Sequence, residues 1–370
     1  MKTRTAKDVK KFNKRKVFEH LLNNKEVSKA QMAINLGLSL PTVNQIIQEL
    51  LELNLVEETG QAESTGGRRA VLVQAKKESY LSAGIDITAN HLNFSLLNLA
   101  GEVVKNRRCK FLGKNCLEKP EVLKQIFDKI LKEEKVKAEK ILGLGLSFPG
   151  IIDKEQKFLT NSNVFELKNP VNLDIFRGLF ALDLNFINDA NAYALAEKKR
   201  NKEDFIFISL SNSVGGAIVS GGKILLGDNS RCGEIGHIKI KNSGKKCYCG
   251  NVGHYDPYGT ALIFQNLAGT LENFFKEVES NPKYQELLKE YLNDLALMLY
   301  NLRILLDLPI ILGGYVGHFL SPYLSELQQL VNQGNLFFDN SKNIFTSQYH
   351  YEGASVGAAL FFCEKFLEKI

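Results

Sequence analysis

The sequence predicts an α/β protein in which a small N-terminal winged helix-turn-helix precedes a larger two-lobed body. Three observations lead there. Helical periodicity, capping residues and a tight glycine turn crowd into residues 17–51. From Tyr80 onward the pattern changes to alternating apolar and polar residues, then to strands and helices in turn. The length, 370 residues, exceeds what one ordinary core serves. We place the winged helix-turn-helix, with a basic N-terminal arm, at 1–78 and the body at 79–370. One lobe takes about 79–190 plus a C-terminal helix at about 345–370, and the other takes about 191–344.

The first helix shows its buried side in Val17, Phe18, Leu21 and Leu22. Ser28 starts the second, with Gln31 three residues on in a capping-box pattern. Met32, Ala33 and Leu36 face inward, and Gly37 can adopt the left-handed conformation that ends the helix. Ser39 caps the third, with Pro41 in the first turn, where a missing N–H does no harm. Val43, Ile46, Ile47, Leu50 and Leu51 are its apolar face.

A tight turn between two short helices makes a helix-turn-helix, whose second helix enters the major groove of DNA. Ser39, Pro41, Thr42, Asn44, Gln45 and Gln48 lie at its outward N-terminal side. Thr, Asn and Gln side chains can bond base edges. "LVEETGQAESTGGRRAVLV" then reads as two strands joined by a turn at Gly66-Gly67. Arg68 and Arg69 beside it would be wing cations suited to phosphate or the minor groove.

Charge points the same way. The net charge is +6, yet residues 1–30 alone hold ten Lys/Arg against Asp8, Glu19 and Glu26, leaving the remainder near neutral. Such asymmetry is the footprint of a nucleic-acid binder, and equally of a solvated basic tail. The helix triplet and the Gly-Gly-Arg-Arg hairpin decide for duplex DNA.

In the body, "LSAGIDITANHLNFSLLNLAGEVV" reads as antiparallel strands turning at Gly101, and "EVLKQIFDKILKEEKV" as an amphipathic helix. "DLNFINDANAYALAEKKR" passes from strand to helix through Asn188-Asp189. Hairpins followed by alternating α and β are the order expected of the actin-like ATPase and sugar-kinase fold. Apolar residues at 44% and charged residues at 24% are ordinary for globular chains. No apolar run reaches about 18 residues, and the basic N-terminus lacks the apolar stretch of a secretory signal. Six cysteines are too few for a disulfide scaffold, so a reduced cytoplasmic setting is expected.

Within "GEIGHIKIKNSGKKCYCGNVGH", His237, Cys247, Cys249 and His254 offer two nitrogens and two sulfurs spaced H-x9-C-x-C-x4-H. That donor set suits tetrahedral Zn2+, and a closed shell would make the zinc structural. The competing reading is a pair of free thiols among unrelated histidines.

That block, with "INDANAYALAE", "LSFPGIID" and "ILGGYV", resembles the ROK family of repressors, open reading frames and kinases. The winged helix resembles its transcriptional regulators, such as the xylose and N-acetylglucosamine repressors. The resemblance implies a sugar pocket of Asn163, Asn188, Asp189, Glu234, His237 and Asp256, with His237 also on zinc. It puts His254 where the family usually has a third cysteine, Asp256 where it has a glutamate, and Asp189 at the general base of its kinases.

The family's phosphate-binding glycines are largely missing. "DITAN" (Asp86 to Asn90) stands for DxGxT, and "SNSVGGA" carries Ser211 and Ser213 where glycines are expected, while Leu312-Gly313-Gly314 persists. Side chains in place of these glycines keep backbone from phosphate. The expectation is therefore a non-enzymatic, sugar-responsive regulator, a homodimer or homotetramer released from its operator by a monosaccharide or sugar derivative. The alternatives are an ATP-dependent sugar kinase with an added DNA-binding domain, and a regulator whose pocket has lost sugar altogether.

Overall fold

The computed structural model of the chain describes residues 5–61, 71–201, 203–333 and 343–370. Helix α1 spans Ala6–Asn23, α2 Lys29–Leu36 and α3 Leu40–Glu52. The caps are those the residue types favour. Ser28 Oγ accepts from Gln31 N at 3.2 Å, Ser39 Oγ accepts from Thr42 N at 3.3 Å, and Gly37 takes φ 63° at the end of α2. The capping box at Ser28 is only half formed, because the Gln31 amide turns to Asn35 Oδ1 at 2.7 Å.

From Thr5 onward the basic stretch is not a separate tail. Thr5 and Asp8 cap each other's backbone N–H groups, so the lysine-rich stretch forms the opening turns of α1. A complete capping box at its start and an acid in the first turn favour helix there. Lys10 and Lys14 reach Glu49 of α3 at 2.6 and 3.0 Å.

A three-stranded sheet completes this unit, with β1 (Val27–Ser28), β2 (Val56–Gln61) and β3 (Val71–Ala75) in the order β1-β3-β2. The turn expected at Gly66-Gly67, with Arg68 and Arg69, lies outside the described residues.

The body has two five-stranded sheets. In the first, β4 (Leu81–Ile87), β5 (His91–Asn98) and β6 (Val103–Lys110) form an antiparallel meander. Helix α4 (Glu121–Glu133) then crosses to β7 (Ile141–Phe148), parallel to β4, and β8 (Leu184–Asn188) pairs parallel with β7. After α5 (Asp189–Lys198) the plan repeats. Strands β9 (Phe205–Leu210), β10 (Val214–Ser220) and β11 (Lys223–Ile224) are antiparallel neighbours. Following α6 (Pro282–Leu306), β12 (Ile310–Gly313) and β13 (Ile344–Thr346) add in parallel. The sheets read β6-β5-β4-β7-β8 and β11-β10-β9-β12-β13, one topology used twice.

The last helix, α7 (Gly353–Lys369), packs against α5 and the first sheet. Its approach depends on glycine: a Cβ at Gly84 would lie 1.9 Å from the Ser355 carbonyl oxygen, and one at Gly357 would lie 1.6 Å from that of Ala192. The far end of α7 reaches the winged helix. Phe366, Leu367 and Ile370 pack on the winged-helix core together with Leu99 and Tyr80, the Tyr80 and Phe366 rings standing 5.6 Å apart. Helix α5 therefore touches a helix whose other end belongs to the DNA-binding unit.

Candidate functional site

Parallel strands bring their C-terminal ends together, and loops there build sites. Asp86 near the end of β4 pairs in register with Ser147 of β7, and β8 leads into Asp189, the first residue of α5. Asp86 is buried and held by Asn93 Nδ2 at 3.0 Å and Ser147 Oγ at 2.9 Å. Burial pushes its carboxyl up to about 6 despite those donors and the nearby Arg108.

Asn188 caps α5: its Oδ1 accepts from Asn191 N at 3.0 Å, and its Nδ2 donates to Gly150 O at 3.0 Å and Asp189 Oδ1 at 2.9 Å. Asp189 Oδ1 also accepts from Ala190 N at 2.9 Å. Desolvation first, and then the Asp86 carboxylate with a smaller part from Glu234, push Asp189 up to about 7. A carboxylate so tuned can hold a hydroxyl in either protonation state. Asn163 is exposed, two residues beyond Asn161, whose carbonyl lies against Gly150.

Glu234 leads into a short helical turn, Ile235–His237, and burial raises its carboxyl against the pull of His237 and Arg231. His237 uses its two nitrogens differently. Nδ1 stands 3.3 Å from His254 Nδ1 and 3.8 Å from Cys247 Sγ, while Cys249 Sγ is 3.3 Å from His254 Nδ1. The donor atoms of all four residues lie within 4.8 Å of one another. Zinc bonds of about 2.0–2.3 Å give a tetrahedron with edges of roughly 3.3–3.8 Å, which three of the donor separations match, so the donor set is compatible with zinc. His237 Nε2 remains free of the cluster, 2.8 Å from the Tyr248 hydroxyl and 4.0 Å from Glu234. One histidine can thus serve the metal with one nitrogen and the pocket with the other. Tyr248 escaped the sequence reading; standing between the cysteines of C-x-C was its only signal.

Asp256 follows the cluster and is buried, but its Oδ1 accepts from Val214 N at 2.8 Å. It anchors the 211–214 loop, whatever else its second oxygen meets. In that loop Ser211 lies close to Gly314: a Cβ there would lie 2.6 Å from Ser211 Oγ. Tyr315, next in line, was also unforeseen; its backbone N donates to Ser211 Oγ at 3.4 Å.

On the winged helix, Pro41, Asn44, Gln45 and Gln48 are exposed on α3. The Ser39 and Thr42 hydroxyls bond each other at 2.7 Å while capping the helix. Gln45 and Gln48 rest against Glu49 and Glu52 at 3.4 and 3.3 Å, contacts long enough to exchange readily for base edges. The described residues include no helix long and apolar enough to cross a membrane.

Two sheets of one repeated topology, a carboxylate heading a helix between them and a winged helix-turn-helix in front define a DNA-binding protein class built on a sugar-kinase scaffold. The chain belongs to the ROK family, which it matches over residues 82–365, and residues 13–57 match winged helix-turn-helix DNA-binding proteins. It is 29% identical over 301 residues to the xylose repressor of Bacillus subtilis (strain 168), covering 78% of this chain and 74% of that one. With the xylose repressor of Caldicellulosiruptor bescii it shares 28% over 370 residues, covering 98% and 87%. With the transcriptional dual regulator NagC of Escherichia coli K12 it shares 24% over 249 residues, covering 66% and 61%. In fold it resembles a ROK family transcriptional regulator described as a homologue of the E. coli MLC protein, with TM-score 0.77, 19% identity and 97% of each chain covered. It also resembles a ROK family glucokinase of Streptomyces griseus solved with glucose and AMPPNP, with TM-score 0.65, 17% identity and 76% and 98% covered.

Proposed function

We propose that the protein is a sugar-responsive transcriptional repressor of carbohydrate-use genes, xylose metabolism among them, released from its operator by a sugar. One observation carries this reading. A winged helix with exposed amides on α3 joins, through α7, a body of sugar-kinase fold whose sequence carries Ser211 and Ser213 where phosphate-binding glycines are expected. Phosphoryl transfer works by positioning and charge stabilisation, and side chains at Ser211 and Ser213 in place of glycines support the loss of that positioning.

In this reading the operator is duplex DNA with two half-sites, met by a homodimer or homotetramer in the cytoplasm. Asn163, Asn188, Asp189, Glu234, His237 and Asp256 surround the sugar. Asn44, Gln45 and Gln48 read bases, and Arg68 and Arg69 hold phosphates. A zinc ion on His237, Cys247, Cys249 and His254 fixes the loop that presents Glu234; its closed shell leaves no open position for catalysis.

Gel-shift titrations of the protein on DNA upstream of its own and neighbouring genes, with and without a sugar panel, test the proposal. A sugar that releases a specific complex supports it. Turnover of ATP with any of those sugars at about 1 per second or faster would replace it with the kinase alternative.

A further inference from the structure

Resting on the sugar-sensor reading, we propose that Tyr193 and Glu197 are positioning residues: they form the joint through which a shift of α5 at its sugar end reaches α7. Helical spacing puts them in line with the site. Asp189, Tyr193 and Glu197 recur every fourth residue along α5, so they share one stripe of the helix. Glu197 stands about 12 Å along the axis from Asp189. The chain leaves the first sheet for the second through α5, and it returns through residues 347–352, between β13 and α7. The outgoing and returning passages meet at these two side chains.

The contacts are polar and buried. Tyr193, Glu197 and Ser347 are 6%, 3% and 9% exposed. Ser347 Oγ donates to Glu197 Oε1 at 2.5 Å and accepts from Tyr349 N at 3.0 Å. The Tyr193 hydroxyl lies 2.5 Å from the Tyr349 carbonyl oxygen and 2.6 Å from that of His350, with one proton to share between them. Ser347 N meanwhile donates to Leu312 O of β12 at 2.8 Å, which holds the returning passage to the second sheet. Arg200, just beyond α5, lies over the Tyr349 ring at 5.2 Å. The Tyr193 ring stacks on Phe207 of β9 with centroids 4.6 Å apart. A Cβ on Gly353, the first residue of α7, would lie 2.4 Å from Tyr193 Cζ. One ring thus touches both the second sheet and the start of α7. Buried polar groups have no water to turn to, so α5 cannot shift without carrying residues 347–350 along or breaking these bonds. Those residues lead directly into α7, whose far end packs on the winged-helix core.

The test compares full-length wild type with Tyr193→Phe, Ser347→Ala, Glu197→Ala and Glu197→Gln, each checked for its melting transition. Calorimetry with glucose, xylose and N-acetylglucosamine reads sugar affinity. Gel shifts on DNA upstream of the protein's own gene, with and without each of those sugars, read the coupling. Tyr193→Phe and Glu197→Ala should keep sugar affinity, and DNA affinity without sugar, within about twofold of wild type, while the sugar-induced weakening of DNA binding shrinks at least about fivefold. Glu197→Gln still accepts from Ser347 and should retain most of the coupling. A joint that served stability alone would lower the melting temperature and leave the coupling as it was. Full coupling in folded Tyr193→Phe and Ser347→Ala overturns the proposal and leaves the sensor reading intact. So does a loss of coupling matched by an equal loss of sugar affinity. No response of the wild-type DNA complex to any of the sugars overturns the sensor reading itself, and this proposal with it.

Discussion

The Asp256 carboxylate accepts a hydrogen bond from the Val214 backbone N–H at 2.8 Å, tying the exit of the Cys/His loop to the loop that would face phosphate in a kinase. The bond is buried, so its loss leaves an N–H unpaired away from water. Asp256→Ala should cost about 1–3 kcal/mol in urea unfolding. Asp256→Asn, which keeps an acceptor, should recover most of that. Equal stability of the alanine variant and wild type would remove this bond as an anchor.

Zinc should be found at one equivalent per chain by elemental analysis of protein purified without chelator. Cys249→Ser should lose most of the metal and lower the melting temperature of the body. Full metal retention in that variant would mean that Cys249 is not a ligand.

Base reading by α3 should fail selectively. Asn44→Ala or Gln45→Ala should cost roughly 1–3 kcal/mol on the operator and little on random DNA. Glu49→Gln acts oppositely, since it frees Lys10 and Lys14 and removes an anion from the reading helix. Affinity for random DNA should rise, and the slope of log affinity against log salt should steepen by about one. Specificity unchanged in the amide variants would refute the assignment of α3.

Asp189 makes stability depend on pH. Its carboxyl is raised to about 7 by burial and by Asp86, so the folded state holds a proton that the unfolded chain releases near 3.8. The stabilising contribution is complete below that lower value and is lost as pH rises through about 7. Asp189→Asn should therefore make the sugar-free protein more stable at pH 8 by about 1–2 kcal/mol, with a smaller gain at pH 5. Sugar affinity should fall at both. A stability difference that does not vary with pH would show that Asp189 is not the titrating group.

Communication with the winged helix should run along α7. Phe366→Ala removes a ring that packs on Tyr80 and the winged-helix core, far from Asp189. Sugar affinity should stay within about twofold, while the sugar-induced loss of operator binding shrinks by several-fold. Full coupling in this variant would rule out the end of α7 as the link.

Local chemistry was readable in the sequence. Ser28, Gly37 and Ser39 act within a few residues of themselves, and each caps or ends a helix where its type favours it. Asn188 heads α5 for the same reason, and the donors of the Cys/His cluster fall within one short segment. The repeated order of strands and helices carried the fold class, because periodicity survives without knowledge of contacts. The misreadings and omissions concern partners distant in sequence. Lysines read as a basic arm, Lys10 and Lys14, are bound to Glu49 from the first turns of a helix. Tyr315 gave no sign that it would meet Thr88, nor Asp86 that it would raise Asp189. The strand order β8-β7-β4 and the facing of the two sheets create those neighbours, and burial sets their charge. Caps and ligand spacings are short-range geometry written in residue types, whereas pKa values depend on desolvation, which exists only after the chain has packed.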